Sequence, residues 1–145
     1  MSQNCESKEE YRESIHAGSW YPGKKEDLTS VIKTYLKKAR APVHGEIHGL
    51  IVPHAGYIYS GQVAAFAYKC LEDQTFDDVI VIGPSHHHGF YGASVDTLAG
   101  RKTPLGTVEF DAELARKIIE QDKNIIYDPY AHLEEHSVEI QIPFL

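Results

Sequence analysis

The chain has 145 residues, and its 14 Lys and Arg against 21 Asp and Glu give a formal net charge of −7. That length suits one domain with a buried core, and 42% hydrophobic with 24% charged residues excludes wholesale disorder. A negative chain without a strongly basic run is a poor nucleic-acid binder. Its apolar runs are too short for a bilayer, and its polar start does not resemble a signal peptide. Because the chain has only two cysteines, we expect it in the reducing cytoplasm. Because its apolar runs are short, we expect no association with membranes.

Residues 1–14 are predicted to form a flexible arm, and residues 15–145 to form part of a single α/β domain. Apolar residues from Leu28 to Ala39 recur at spacings of three and one, which predicts an amphipathic helix. Residues 46–52 predict a short strand that ends at Pro53.

The centre of the chain continues the alternation of helices and strands. Residues 61–71 are rich in Ala and predict a closely packed helix. Residues 79–82 are four β-branched residues in a row, which is typical of a strand buried on both faces in a parallel sheet. Two further strands are predicted over residues 94–98 and 124–127.

Asp111 is the predicted N-cap of a third helix over residues 112–121. The whole alternation predicts an α/β architecture with a central, mostly parallel sheet flanked by helices. Residues 138–145 are largely apolar and no polar tail follows them. We therefore expect the chain to be the first part of a longer one.

Two segments share one design, in which an apolar stretch is followed by Pro and then by His in a turn. Pro53 precedes His54, and Pro84 precedes His86 by two residues. In an open α/β sheet, ligands bind at the loops that follow the carboxyl ends of the strands. His54 and His86 are therefore expected to converge, and two imidazoles make half of a mononuclear metal site. Solvated turn histidines are the alternative interpretation of the same pattern.

Residues 134–139 mix carboxylates with an imidazole. As a helix, this segment would place Glu135 and Glu139 on one face. The alternation of apolar residues over 138–144 would instead suit a strand. We expect neighbouring acids to raise the pKa of His136 and to orient its ring, which makes His136 a candidate catalytic residue. The alternative is an ordinary helix start whose acids complement the helix dipole.

Aromatic and imidazole side chains elsewhere are candidates for lining a pocket. His16 and Trp20 lie in one short His-Ala-Gly-Ser-Trp string, and Tyr57 and His87 each follow closely after a predicted metal ligand. Such rings around a cleft can hold a small ligand. Trp20 could equally fill the edge of the core.

Four strings of these residues together resemble the Memo-like family, known in microbes as AmmeMemoRadiSam system protein B. The strings occur in the order typical of the family, and they extend over nearly the whole chain from residue 16 onward. The chain matches only about the first half of the family pattern. The four strings are His16-Ala17-Gly18-Ser19-Trp20-Tyr21, Pro53-His54-Ala55-Gly56-Tyr57, Gly83-Pro84-Ser85-His86-His87 and Glu135-His136-Ser137-Val138-Glu139.

The resemblance implies a fold similar to the class III extradiol dioxygenases, with a metal-type site at one end of a central sheet. It implies that His54 and His86 are metal ligands, with iron or copper as the ion, and it favours a helix start over residues 134–139. His136 matches a pocket residue of the family. The family's third ligand, a Cys, comes later in its pattern, and neither Cys5 nor Cys70 lies in a matching motif.

Two classes of function follow from this interpretation. The first is an enzyme with non-haem metal redox chemistry, similar to that of a dioxygenase, on an unknown small molecule. The second is a non-catalytic binding module that uses the same pocket for a peptide or small ligand. If the site needs a ligand from outside this chain, the chain alone is expected to be inactive.

Overall fold

The computed structural model describes residues 10–41 and 45–145, which form a mixed α/β structure of short strands and helices. The helices are α1 (Lys25–Lys38), α2 (Gln62–Tyr68), α3 (Ala112–Ile119) and α4 (Tyr130–Leu133). The strands are β1 (Tyr11–Arg12), β2 (Ala93–Ser94), β3 (Gly100–Thr103), β4 (Gly106–Glu109) and β5 (Ile125–Ile126). A π-helical segment, Tyr57–Gly61, leads into α2, and 3₁₀ turns cover Lys69–Leu71 and Glu139–Phe144.

Helix α1 follows the predicted apolar stripe and buries Leu28 and Ile32. Acidic residues lie in its first turn and lysines in its last, as the helix dipole favours. Its Tyr35 contacts the start of α2, where a Cβ at Gly61 would lie only 2.6 Å from the Tyr35 ring. Glycine at that position therefore allows the two helices to approach closely.

The strands form two small sheets. Strand β1 pairs in parallel with β3, which pairs antiparallel with β4, and β2 pairs in parallel with β5. Tyr11 and Arg12 were expected in the flexible arm, yet they form β1 because their backbone pairs with Gly100 and Arg101. Residues 1–9 of the predicted arm lie outside the described residues.

The expectation of one central parallel sheet differs from this arrangement. Residues 46–52 and 79–82 are not strands in the structure, although their composition favours strands. Ile51 and Ile82 are exposed by 101% and 89%. A β-branched run becomes a buried strand only when neighbouring strands and covering helices are present. The part of the chain that the structure describes does not supply them.

The core lies where α1, the π-helical segment and the 3₁₀ turn Glu139–Phe144 meet. Its buried cluster consists of Tyr21, Leu28, Ile32, Tyr57 and Ile140. The predicted N-cap Asp111 is confirmed, since its Oδ1 accepts a hydrogen bond of 2.8 Å from the backbone of Leu114. Among the described residues, no helix has the length and apolarity needed to cross a membrane.

Candidate metal-binding site

Four alternate residues of the segment 135–141 anchor the loops that carry the candidate site. We call residues 135–141 the anchor segment. Glu135 binds His86, and Ser137 Oγ donates a hydrogen bond of 2.8 Å to the carbonyl of Pro84. Glu139 accepts a hydrogen bond from the backbone N–H of His16, and Gln141 donates one to the backbone carbonyl of Pro53. The odd-numbered residues of the anchor segment thus hold three separate loops in place, and Ile140 of the same segment packs into the core.

The loops that follow Pro53 and Pro84 bring His54 and His86 together. The centroids of their imidazole rings lie 5.2 Å apart, and the ring planes are inclined by 49°. His54 is half-buried and His86 is partly exposed. The structure therefore places both predicted ligands at one point, although the sheet predicted to present them is absent from the described residues.

His136 lies between Trp20 and His86 in a stack of three rings. Its ring centroid is 4.1 Å from that of Trp20 and 4.4 Å from that of His86, with interplanar angles of 25° and 17°. His16 contacts the same ring edge-on at 5.9 Å, and His54 lies 5.8 Å away. Four of the nine histidines thus form one cluster, which we call the histidine cluster: His16, His54, His86 and His136.

Glu135 is buried beside this cluster, accepts two backbone hydrogen bonds and shares a third with the ring of His86. Its Oε1 lies 2.9 Å from Nδ1 of His86 and accepts a bond of 2.7 Å from the backbone N–H of Ser137. Its Oε2 accepts a bond of 2.5 Å from the backbone N–H of His86. Burial alone would raise the pKa of Glu135, but the bonds from His86 and Ser137 outweigh it and lower the pKa to about 2. Glu135 is therefore an ionised acceptor at neutral pH.

The expectation that neighbouring acids raise the pKa of His136 is wrong. Burial is the largest effect and lowers the pKa of His136, and the nearby His86, His16 and His54 lower it further. The charge of Glu135 opposes this shift without reversing it. Glu139, the second acid of the motif, binds other groups. His136 is consequently neutral at pH 7.

His86, Glu135 and His136 form a group that could hold a metal ion, since their ligand atoms lie within 4.8 Å of one another. Imidazole nitrogens and a carboxylate oxygen suit iron, copper and zinc. Nδ1 of His136 is buried and has no hydrogen-bond partner in the described part of the chain. A buried nitrogen that lacks a partner is uncommon in proteins, and a bound ion or ligand would supply one.

The remaining predicted site residues fall into two groups. His16 and Trp20 belong to the ring contacts around His136. Tyr57 lies in the core, where its hydroxyl donates a bond of 2.9 Å to the carbonyl of Ile140. His87 is exposed, and none of the ring contacts within the described residues involves it.

A tight turn holds His16 and Trp20 against the anchor segment. The backbone N–H of His16 donates a bond of 2.9 Å to Oε1 of Glu139. Gly18 adopts a positive φ of 88°, and its N–H donates to the carbonyl of Tyr21 at 2.7 Å. A residue with a Cβ would be strained in that conformation, so the turn depends on glycine.

The sequence interpretation missed the partnership of Glu135 and His86. The two residues are far apart along the chain, and no periodic spacing joins them. The available signal was the alternation in the anchor segment, where polar residues at odd positions separate apolar ones. That pattern indicates one buried face and one polar face, but it does not identify the loops that the polar face binds.

Comparisons with known proteins identify the family of the chain. The family model described as "Memo-like protein" matches residues 12–145. The chain belongs to the Memo-like family. A MEMO1 family protein of Nitrosopumilus maritimus is 37% identical over 141 residues, which cover 92% of this chain and 50% of that protein. A MEMO1 family protein of Pyrobaculum arsenaticum is 41% identical over 144 residues, with coverages of 92% and 50%. This Memo-like chain thus spans about half the length of the curated relatives it matches.

Proposed function

We propose that this Memo-like chain binds a redox-active metal ion, iron or copper, through His54 and His86. The observation that carries the proposal is the approach of these two imidazoles from separate loops, with ring centroids 5.2 Å apart. Imidazoles that share an ion at a metal–nitrogen distance of about 2.1 Å, with a ligand angle of about 90–120°, have centroids roughly 4.5–5.5 Å apart. The spacing of His54 and His86 falls within that range.

The stacked pair of His86 and His136 suits a shared ion less well. Their ring planes are inclined by only 17°, so their nitrogen lone pairs lie in nearly parallel planes. A ligated ion lies close to the plane of each imidazole that binds it, and one ion cannot lie in two separated parallel planes. The 49° inclination of His54 against His86 permits the planes to intersect. We therefore assign the ligand role to His54 and His86.

We assign His136 the role of a catalytic residue that lies next to the ion without binding it. Its neutral ring is fixed between Trp20 and His86, and its buried Nδ1 has no partner among the described residues. A neutral imidazole can accept a proton at one nitrogen and donate from the other. His136 Nδ1 would bind or move a proton of a small molecule held next to the ion.

A bound iron or copper ion with open positions would supply dioxygenase-like redox chemistry on an unknown small molecule. The chain's own residues would orient that molecule. Trp20 and His16 would cover one side of it, and the buried anchor segment would limit water on the other side. Two histidines leave coordination positions for further ligands and for the substrate.

The ring stack also supports a second function, a binding module without turnover. Trp20 and His86 come from two anchored loops, and their rings stack on the two sides of His136, which belongs to the anchor segment. Such a surface can hold a peptide or a small planar ligand without chemistry. Oxygen uptake by the metal-loaded chain separates the two functions if it is compared with the same concentration of free ion. Only the enzyme is expected to consume dioxygen and the small molecule over many turnovers at a rate above that of the free ion.

Metal retention tests the proposal. The chain is loaded anaerobically with iron(II) or copper(I), desalted, and measured by inductively coupled plasma mass spectrometry. We expect about one ion per chain, and at least a tenfold loss in His54→Ala and in His86→Ala. His48→Ala removes an exposed histidine outside the cluster and is expected to retain the ion. Full occupancy in either cluster variant would contradict the proposal.

A further inference from the structure

Glu135 holds both the backbone and the ring of His86 with one carboxylate. Oε2 accepts the backbone N–H of His86, and Oε1 faces Nδ1 of the same residue at 2.9 Å. Two contacts to one residue fix the direction of its side chain as well as its position. The carboxylate itself is fixed by the N–H of Ser137, which binds Oε1 at 2.7 Å.

We propose that Glu135 is a positioning residue that fixes the tautomer of His86 and is not itself a metal ligand. Each oxygen of Glu135 accepts a backbone N–H, Oε2 from His86 and Oε1 from Ser137. A carboxylate arranged as an acceptor on both oxygens leaves Nδ1 of His86 to carry the proton of their shared hydrogen bond. Nε2 is then the nitrogen with a free lone pair, and it is the atom that His86 offers to an ion. This inference rests on the proposed function for the ion, but its statement about the tautomer does not.

The competing arrangement has Glu135 as a ligand together with His86 and His136, whose ligand atoms lie within 4.8 Å of one another. In that arrangement an ion near the carboxylate would take Nδ1 of His86, the nitrogen closest to it. The three hydrogen bonds in which Glu135 already takes part oppose this arrangement. An ion at Nδ1 would have to displace the ring from Oε1 while both oxygens of the carboxylate stay bound to backbone N–H groups.

Carboxylates that orient ligating imidazoles recur in metalloproteins, and their removal weakens metal affinity by about 10- to 100-fold. Here the carboxylate comes from the anchor segment, and the ligand comes from a loop. The same segment binds the backbone of Pro53 through Gln141 Nε2 at 3.2 Å. The spacing of His54 and His86 thus depends on one short stretch of chain.

The experiment is long-range ¹H–¹⁵N correlation NMR of the full chain labelled at histidine, with His86 assigned by comparison with His86→Gln. Without metal, we expect the His86 ring to be in the tautomer protonated at Nδ1. On titration with zinc(II), a diamagnetic probe, we expect the resonance of Nε2 to shift. A ring protonated at Nε2 without metal, or zinc bound at Nδ1, would overturn the proposal.

Glu135→Gln is the variant, and Glu134→Gln, which alters an exposed neighbour, is the matched control. The amide of Gln can present either oxygen or NH₂ to the ring, so we expect mixed tautomers and zinc affinity weaker by about 10- to 100-fold. The control should retain the tautomer and the affinity of the original chain. An unchanged tautomer in Glu135→Gln would overturn the proposal.

The two proposals fail in different ways. If zinc, iron and copper all fail to bind while His86 is protonated at Nδ1, the proposed function fails and the tautomer assignment stands. If an ion binds through His54 and His86 while His86 is protonated at Nε2 without metal, the role of Glu135 fails and the proposed function stands. The tautomer is read in the unsubstituted chain, so the test holds even if Glu135→Gln does not fold.

Discussion

Arg101 and Glu139 form a buried ion pair in which Nη1 of Arg101 lies 2.8 Å from Oε2 of Glu139. The side chain of Glu139 is 0% exposed and that of Arg101 is 4% exposed. Glu139 also accepts the hydroxyl of Tyr21 at 2.8 Å and the backbone N–H of His16 at 2.9 Å. One carboxylate therefore connects strand β3, the core and the loop that carries the His16 ring.

Removing the charge of Glu139 is expected to destabilise the chain. In Glu139→Gln the buried guanidinium of Arg101 loses its counter-ion, and breaking a buried pair from one side costs about 3–5 kcal/mol. Urea unfolding followed by circular dichroism measures the loss. Glu113→Gln is the control, because its pair with Lys117 is exposed on α3 and contributes under about 1 kcal/mol. Equal stability of the two variants would contradict the role of Glu139.

Gly83 is expected to be essential for docking the His86 loop on the anchor segment. A Cβ at Gly83 would lie 2.3 Å from Oγ and 2.8 Å from Cβ of Ser137. Gly83→Ala must therefore push the two segments apart, which we expect to cost about 1–3 kcal/mol and to weaken metal retention.

Gly89→Ala is the matched control for this substitution, since a Cβ at Gly89 would meet no atom within 4 Å. Its unfolding free energy should change by less than about 0.5 kcal/mol. If Gly83→Ala keeps both the stability and the metal content of this control, the docking described for the loop is wrong.

The pair of Asp96 and Arg12 predicts one component of the acid sensitivity of folding. Nε of Arg12 lies 2.7 Å from Oδ2 of Asp96. Burial raises the pKa of Asp96, but the bond and charge of Arg12, with smaller effects of His132 and the N–H of Leu98, lower it below the ordinary 3.8. Because the pKa is lower in the folded state, the pair stabilises folding above about pH 4, and this stabilisation is lost as the pH falls.

Asp96→Asn should therefore be less stable than the original chain at about pH 7, and the difference should shrink at about pH 3. The midpoints of urea unfolding at the two pH values measure this difference in stability. Asp77→Asn, at an exposed position, should show little difference at either pH. A difference for Asp96→Asn that is as large at pH 3 as at pH 7 would exclude this role of the ion pair.

The exposed run of β-branched residues at positions 79–82 is expected to bind apolar probes. Ile80 and Ile82 are exposed by 65% and 89%, and contiguous exposed apolar surface favours association with other apolar groups. The fluorescence of anilinonaphthalene sulfonate should rise with the chain and fall in Ile82→Thr. Val108→Thr, on strand β4, is the control and should leave it unchanged. No enhancement by the original chain would show that this run is covered in solution.

The sequence predicted the local features well where the deciding interactions are close along the chain. The spacing from Leu28 to Ala39 is enough for α1, because one apolar face and the helix dipole define that helix. Asp111 identifies the start of α3, because an N-cap bond spans only three residues. The approach of His54 and His86 is a different case, because it was expected from the ends of two strands and neither strand is present in the described residues.

Features that depend on distant partners were not predictable in the same way. Residues 46–52 and 79–82 have strand composition, but a strand forms only if its neighbours supply hydrogen bonds. The hairpin of β3 and β4 was missed because its sequence is mostly polar and shows little apolar alternation. The pKa of His136 was predicted in the wrong direction, since burial and imidazole neighbours are not visible in a linear motif.

The central claim is that His54 and His86 bind one ion through imidazole nitrogens. X-ray absorption at the metal edge of the anaerobically loaded chain tests it most directly, because imidazole rings give a recognisable multiple-scattering pattern. We predict a first shell that contains two imidazole nitrogens at about 2.0–2.1 Å. A shell of oxygen ligands without imidazole scattering would contradict the claim.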